Sequence, residues 1–101
     1  MKLIWSPLAT QNAHALASFI AQDKPIAAMQ WLEGLFERVE LLQVLPESGR
    51  VVPEISISSI REIIFGQYRV VYRLEGEQIM ILTVRHGKQL LNLNEPLRLI
   101  R

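Results

Sequence analysis

The sequence predicts an α+β fold in which an antiparallel helical hairpin packs on one face of an antiparallel sheet. Residues 7–45 carry apolar side chains at helical spacing, which indicates two amphipathic helices. Residues 61–86 are rich in β-branched and aromatic residues and are interrupted at Gly66-Gln67 and Glu75-Gly76, a pattern typical of a three-stranded meander. A short apolar segment precedes the helices, so the expected element order is β-α-α-β-β-β.

Length and composition limit the class of protein. The chain has 101 residues, of which 50% are hydrophobic, so we expect one small domain over residues 1–101 with a modest core. It contains no cysteine, which excludes a disulfide framework and a thiolate metal site. No apolar run is long enough for a signal peptide or a membrane span. We therefore expect a soluble, cytoplasmic protein with no metal and no cofactor.

Charge is distributed unevenly along the chain, although its formal net value is only +1. Residues 1–48 hold three basic and five acidic side chains, a net charge of −2, whereas residues 49–101 hold eight basic and five acidic ones, a net charge of +3. The predicted sheet is thus the basic half. Such a surface excess usually serves solubility, so it does not by itself indicate a polyanionic partner.

Residues 2–5 (Lys-Leu-Ile-Trp) are predicted to form an edge or inner strand that ends at a helix start. Ser6 is a suitable N-cap, because its hydroxyl can accept a hydrogen bond from an amide of the first turn, and Pro7 suits the first helical position. The helix is expected to end near Gln22. Its apolar positions recur at spacings of four, three and four residues, at Ala9, Ala13, Leu16 and Ile20.

A second helix is predicted to start at Pro25, directly after Asp23-Lys24, and the short connection makes it antiparallel to the first. It must end before Pro46, and residues 47–59 form a connector that we leave unassigned. Glutamates mark the solvated side of this helix, at Glu33, Glu37 and Glu40. Its apolar stripe comprises Ala28, Leu32, Leu35, Val39 and Leu42, widened by Met29 and Phe36.

The middle strand of the meander alternates in character. Arg69, Val71 and Arg73 fall on one face, and Tyr68, Val70, Tyr72 and Leu74 on the other, which is the core face. Residues 79–82 are apolar on both sides, so the second sheet face must also be covered. The loop at Glu75-Gly76 could contain two or three residues, which leaves the register open.

The segment after His86 is apolar for a chain terminus. Six leucine and isoleucine side chains occur in residues 87–101, and they would form an exposed patch if all of them faced water. The segment therefore docks either on this domain, where it would cover the second sheet face, or on a partner.

Few residues suggest catalysis. The sequence has no phosphate-binding glycine loop, no His-Glu-x-x-His and no Gly-x-Ser-x-Gly. His14 lies mid-helix among polar neighbours and is interpreted as a surface residue. His86 ends a strand beside Arg85 and near the level of Gln67, so it could act as a general acid or base on a phosphodiester. The alternative is a strand-end histidine hydrogen-bonded to backbone.

Four arginines lie on the three adjacent strands of the meander. They could converge on one polyanionic or carboxylate-bearing target, because guanidinium binds either group in a bidentate manner. Ordinary ion pairing with Glu62, Glu75 and Glu77 is the alternative. The aromatic residues Tyr68, Tyr72, Trp5 and Trp31 are interpreted as core or groove-lining. The four arginines are Arg61, Arg69, Arg73 and Arg85.

Several short strings occur in order along the chain. They are Trp5-Ser6-Pro7, Pro25-x-Ala27-Ala28, Leu45-Pro46-x-x-Gly49-Arg50, Pro53-Glu54, Arg61-Glu62-Ile63, Gly66-x-Tyr68-Arg69-Val70-Val71-Tyr72-Arg73 and Val84-Arg85-His86. Together they resemble the RelE/ParE toxin superfamily of bacterial type II toxin–antitoxin systems over nearly the whole chain. The resemblance implies a RelE/ParE-like fold and a hetero-oligomer with a cognate antitoxin, part of which wraps the toxin.

The superfamily has two activities of interest. RelE-like members cleave mRNA on the ribosome, whereas ParE-like members inhibit DNA gyrase and are not nucleases. Arg69 matches an arginine that RelE-like nucleases use, but Gln89 stands where they supply another arginine, and no tyrosine follows. The Gly-Arg-x-x-Pro-Glu and Arg-Glu-Ile strings favour the ParE side.

The resemblance therefore implies a ParE-like gyrase inhibitor that is not an enzyme. Arg61, Arg69, Arg73 and Arg85 would bind the target, and Trp31, Leu35, Leu91 and Leu93 would bind the antitoxin. The alternatives are a ribosome-dependent mRNA interferase that uses His86, Arg69 and Arg85, and an inactive relative that still binds antitoxin. Arg69 is expected on an exposed sheet surface, where replacing it would cost little stability.

Overall fold

Five strands and two α-helices make up residues 1–88, the part of the chain that this computed structural model describes. A single 3-10 turn (Leu41–Gln43) extends the second helix. The predicted α+β class and β-α-α-β-β-β order are confirmed, with β2 as a short addition. The elements are β1 (Lys2–Trp5), α1 (Pro7–Ala21), α2 (Pro25–Glu40), β2 (Arg50–Val51), β3 (Ile60–Phe65), β4 (Tyr68–Glu75) and β5 (Gln78–His86).

The strands form one sheet in the order β1-β5-β4-β3-β2. Strands β2 to β5 are antiparallel neighbours, but β1 runs parallel to β5, with Ile4 opposite Met80. The sheet is therefore mixed, and the prediction of a wholly antiparallel sheet is wrong at this strand. No hairpin connects β1 to its neighbour, so no local turn signal in the sequence fixes its direction.

Two tight hairpins set the register of the meander. Phe65 pairs with Tyr68 and Glu75 pairs with Gln78, so each loop contains two residues, Gly66-Gln67 and Gly76-Glu77. Gly66 and Gly76 have φ values of +58° and +57°, in the left-handed region that other residues rarely adopt. A bulge between the pairs of Val71 and Tyr72 shifts the register of β4 against β5.

The start of α1 is joined firmly to β5. The hydroxyl of Ser6 accepts a hydrogen bond from Ala9 N–H and donates one to Leu82 O, both 3.0 Å long, which confirms the predicted N-cap. Two turns later, Asn12 Oδ1 accepts from Val84 N–H at 3.1 Å. These contacts hold α1 against the part of β5 that follows Ile81, where β1 no longer pairs with the strand.

The predicted apolar stripe of α2 faces the core, where Leu35, Val39 and Leu42 are fully buried. Met29 and Phe36, which were expected to widen this stripe, instead lie on the exposed side with the glutamates. A 3.6-residue period places Phe36 about 80° and Met29 about 100° from the stripe's centre, so their exposure follows from helix geometry rather than from their hydrophobicity.

Two apolar clusters fill the two sides of the sheet. The larger lies between the hairpin and the sheet and includes Ala9, Ala13, Leu35, Val39, Leu42, Ile63, Val70, Tyr72, Ile79, Ile81 and Val84. The smaller lies on the second face and comprises Val52, Ile55, Ile60, Val71 and Leu82. Both Val52 and Ile55 belong to the connector, so it is the connector that covers the second face over these residues.

Candidate functional site

Arg69 is buried rather than displayed on the sheet surface. It is 4% exposed, and its guanidinium binds Glu54 through Nη1–Oε2 (2.6 Å) and Nη2–Oε1 (2.8 Å) and Glu62 through Nε–Oε1 (2.6 Å). The hydrogen bond with Glu54 is the largest cause that raises the pKa of Arg69 above its ordinary range, against the opposing effect of burial. The prediction of an exposed Arg69 is therefore wrong, because the connector folds over it.

Arg50 extends this ion-pair network. Its Nε lies 2.6 Å from Oε2 of Glu62, whose side chain is completely buried between Arg50 and Arg69. One buried carboxylate thus receives hydrogen bonds from two guanidinium groups on different strands. Such an arrangement satisfies the buried charge and fixes the position of the connector over the sheet.

The other arginines of the meander do not gather at one site. Arg61 donates from Nε to Ser58 O (3.1 Å) and from Nη1 to Gly49 O (3.0 Å), so it also holds the connector. It pairs across the strands with Tyr72, on the helix-facing side of the sheet, whereas Arg73 lies on the second face beside Glu75. The predicted convergence of four guanidinium groups is wrong for Arg61.

Arg85 is the cross-strand neighbour of Arg69 on β5. Its side chain is half-buried, and its Nε donates to Thr83 Oγ1 at 3.4 Å. Unlike Arg69, it remains partly accessible to solvent at the end of the sheet. Of the four arginines, it is the one that lies next to His86.

His86 ends β5 and packs edge-to-face on Tyr68, with ring centroids 5.9 Å apart. Its Nδ1 accepts a hydrogen bond from Lys88 N–H at 3.2 Å. If the ring is neutral, this contact assigns its proton to Nε2, which is then a hydrogen-bond donor. The geometry matches the alternative of a strand-end histidine bonded to backbone.

A shallow depression of about 440 Å³ lies where β5 ends beside the β3–β4 turn. Gly87 N–H donates to Gln67 O at 2.7 Å and ties the two segments together, as the predicted proximity of His86 and Gln67 requires. The lining of this depression, together with Arg85, which precedes His86 on β5, forms what we call the β5-end surface; it comprises Ile64, Gly66, Gln67, Arg85, His86, Gly87 and Lys88.

Arg69, Arg85 and His86, the three residues of the alternative nuclease site, are close in the sheet, since Arg69 pairs with Arg85 and His86 follows Arg85. The guanidinium of Arg69 is nevertheless buried, and three of its five N–H groups donate to Glu54 and Glu62. A general acid or base also needs a group that stabilises the developing charge. Within residues 1–88, no cluster of three or more His, Cys, Asp or Glu side chains could hold a metal ion in its place.

A second depression, of about 340 Å³, runs along the outer side of the helical hairpin. Most of the side chains that line it are small, so a partner could approach the helices closely. The lining residues are His14, Ala17, Ser18, Ala21, Pro25, Ala28, Met29 and Leu32.

Neither helix in the described part of the chain has the length and hydropathy needed to cross a bilayer.

The predicted antitoxin-binding residues differ in how accessible they are to a partner. Trp31 is half-buried and packs on Phe65 and Tyr68, with centroids 6.1 and 5.2 Å away. Leu35 is completely buried in the core, so its side chain is not available to a partner. Leu91 and Leu93 lie outside the described residues, as does Gln89.

The family model described as ParE toxin of type II toxin-antitoxin system, parDE, matches residues 3–91. The chain belongs to the ParE toxin family. A search of curated proteins found no significant match. The predicted resemblance to the RelE/ParE superfamily is therefore confirmed.

Solved structures support the same fold for this ParE-family chain. A chain from the chromosomal ParDE toxin–antitoxin system of P. aeruginosa is 21% identical with a TM-score of 0.75, over 87% of this chain and 97% of that one. A chain from the RelBE2 toxin–antitoxin complex of Mycobacterium tuberculosis is also 21% identical, with a TM-score of 0.52, over 84% and 95% of the two chains. At these identities the similarity shows the fold.

The strings that carried the resemblance turn out to form the ion-pair network and its surroundings. Gly49-Arg50, Pro53-Glu54 and Glu62 supply the connector contacts, and Arg69 joins them on β4. In the sequence, Glu54 stands out only as part of the Pro53-Glu54 string. A signal was nevertheless present, since Arg69 falls on the second sheet face, which the apolar residues 79–82 predict to be covered, and a covered guanidinium needs a hydrogen-bonded counter-charge.

Proposed function

We propose that this chain is a ParE-like toxin that stops growth by binding DNA gyrase in the cytoplasm and is neutralised by a cognate antitoxin. The observation that carries this choice is the burial of Arg69 between Glu54 and Glu62. A nuclease would need this guanidinium at the phosphodiester. Here the guanidinium is buried and paired with two carboxylates inside the fold, so a mode of action by binding is favoured over cleavage.

The β5-end surface is the proposed contact with gyrase. It lies in the basic half of the chain and combines the exposed Ile64 with the cationic Arg85 and Lys88. An apolar centre with charged neighbours is typical of protein–protein contacts. Arg73 stays a candidate at the far end of the same sheet face, although its pairing with Glu75 makes it less available.

The antitoxin is proposed to bind the outer side of the helical hairpin. The groove there has a small-residue lining, which suits the close approach of a helix. Both similar structures come from toxin–antitoxin complexes, which supports a protein partner for this chain. This location differs from the β5-end surface, so neutralisation and target binding would involve separate faces.

The test uses the purified full-length chain in two assays. It should inhibit supercoiling by DNA gyrase and leave ribosome-bound mRNA intact. The variant Arg85→Glu/Lys88→Glu should lose most of the inhibition, whereas Lys2→Glu/Lys24→Glu, which makes the same change of charge at exposed positions outside the β5-end surface, should keep it. Cleaved mRNA with unaffected gyrase would instead establish the mRNA interferase. No effect in either assay, with antitoxin binding retained, would establish an inactive relative.

A further inference from the structure

The solvent side of α2 carries a regular row of exposed residues. Successive members are three, four, three and four residues apart, which is the heptad spacing at which a second helix packs alongside. They extend over about 21 Å of helix at 1.5 Å per residue. We call this row the outer seam, and it comprises Ile26, Met29, Glu33, Phe36 and Glu40.

The apolar members of the outer seam are unusually exposed. Ile26 is 73% exposed, Met29 65% and Phe36 38%, and Phe36 also packs edge-to-face on Trp5 with centroids 5.2 Å apart. Met29 also lines the hairpin groove, so the outer seam continues directly from it. Contiguous exposed apolar groups of this kind mark interaction surfaces on small proteins.

The charge of the outer seam restricts what can cover it. Glu33 and Glu40 alternate with the apolar residues, and Glu37 flanks them. None of these three glutamates forms an ion pair with any residue between 1 and 88. Helix α1 contains no charged residue, and Arg38 is the sole basic residue of α2. The outer seam is therefore an acidic surface with apolar residues at regular intervals.

A wholly apolar helix would be a poor partner, because covering Glu33 or Glu40 without a counter-charge carries a desolvation penalty. An acidic segment would be repelled. A helix that places apolar side chains against Ile26, Met29 and Phe36 and basic side chains against the glutamates satisfies both requirements. Helix pairing in coiled coils combines apolar and charged positions in the same way.

We propose that the outer seam binds an amphipathic helix of the antitoxin whose apolar residues recur at heptad spacing and whose lysine or arginine side chains oppose Glu33 and Glu40. This inference rests on the proposed function, since it specifies the chemistry of the antitoxin segment. It predicts that the complex depends on salt, because the opposed charges remain close to the solvent at the edge of the contact.

The experiment measures the affinity of the full-length chain for the small protein encoded beside it, by calorimetry at 50 and 500 mM NaCl. The variant Glu33→Lys/Glu40→Lys should bind at least tenfold more weakly at 50 mM and lose most of the salt dependence. Glu47→Lys/Glu77→Lys is the matched control, because it makes the same change of charge at exposed positions outside α2. It should bind within about twofold of the parent. Substituting glutamate for the partner's opposing basic residues should restore binding to the Glu33→Lys/Glu40→Lys variant.

Failures of this inference and of the proposed function are distinguishable. If the parent binds its neighbour but Glu33→Lys/Glu40→Lys binds equally well, the outer seam proposal is overturned and the antitoxin partnership stands. If the parent does not bind at all, the partnership itself fails. Two other occupants would also overturn the proposal. One is a second copy, seen as a dimer in sedimentation that the double variant abolishes. The other is the chain's own end, seen as displacement of the antitoxin by a synthetic peptide of residues 89–101.

Discussion

Arg69 on β4 and Glu54 in the connector form a bidentate ion pair, with two nitrogen–oxygen distances of 2.6 and 2.8 Å. The two residues are 15 positions apart in sequence, and their contact closes the connector over the second face of the sheet. Glu62 completes the arrangement from β3 with a carboxylate that has no solvent exposure. The network therefore ties the connector to the sheet, and the burial of its arginine argues against a direct role in target binding.

Replacing Arg69 with methionine should destabilise the domain by about 3 to 5 kcal/mol, because it leaves the buried carboxylate of Glu62 with only one counter-charge and frees Glu54. Urea unfolding followed by circular dichroism measures this free energy. Lys24→Met is the control, since its side chain is exposed and forms no ion pair within residues 1–88, so it should change stability by about 0.5 kcal/mol or less. If Arg69→Met unfolds at the same urea concentration as the parent, the network does not stabilise the connector.

Gly49 offers a second test of how the connector is held. A Cβ at this position would lie 2.5 Å from the oxygens of Glu62 C=O and the Tyr72 hydroxyl, and 2.8 Å from the Tyr72 ring. Backbone and a buried ring cannot move aside at low cost, so Gly49→Ala should destabilise the domain by about 1 to 3 kcal/mol. Thermal unfolding measures the effect. Gly76→Ala is unsuitable as a control, because the positive φ of Gly76 would itself strain an alanine. Ser48→Ala is the control, since Ser48 is the exposed neighbour of Gly49 and this variant should unfold like the parent.

The sequence was sufficient for the parts of the fold that local patterns encode. Ser6-Pro7 marks the start of α1, and the alternation around Val70 separates the two sheet faces, because caps and side-chain periods depend on neighbouring residues. The parallel direction of β1 and the closure of the connector depend on contacts between distant residues, which no local period specifies. For the same reason the burial of Arg69 was missed, since its partner Glu54 lies in a segment without periodicity.

Tyr72 should make stability depend on pH in the alkaline range. Burial is the largest cause that raises the pKa of its hydroxyl, although Gly49 N–H, which donates to that oxygen at 3.0 Å, opposes the shift. A folded-state pKa above the unfolded value, near 10, contributes stability that is complete below about pH 10 and is lost as the pH rises further.

The free energy of unfolding of Tyr72→Phe should therefore fall less steeply above pH 10 than that of the parent. At neutral pH the variant should be about 1 to 3 kcal/mol less stable, because Gly49 N–H and the carbonyl of Pro46 lose their partner. Chemical denaturation at pH 7, 9.5 and 11 measures both effects. Tyr68→Phe controls for the loss of a tyrosine hydroxyl. Equal slopes for the parent and Tyr72→Phe would show that Tyr72 does not contribute to the alkaline loss of stability.

The toxicity of a His86 variant distinguishes a binding protein from a nuclease most directly. A general acid or base typically contributes about 10² to 10⁴ in rate, so His86→Gln would abolish the toxicity of an mRNA interferase. In a gyrase inhibitor the ring serves to cap the end of β5, through Nδ1 and the Lys88 amide, and to pack on Tyr68. Glutamine retains a hydrogen-bond acceptor of similar reach, so we expect His86→Gln to inhibit growth nearly as strongly as the parent. Induced cultures with matched expression levels measure this, with Arg85→Glu/Lys88→Glu as the variant that should relieve the inhibition. Because His86 also lines the β5-end surface, loss of toxicity would reverse the assignment only if the parent cleaves ribosome-bound mRNA and the stably folded His86→Gln does not.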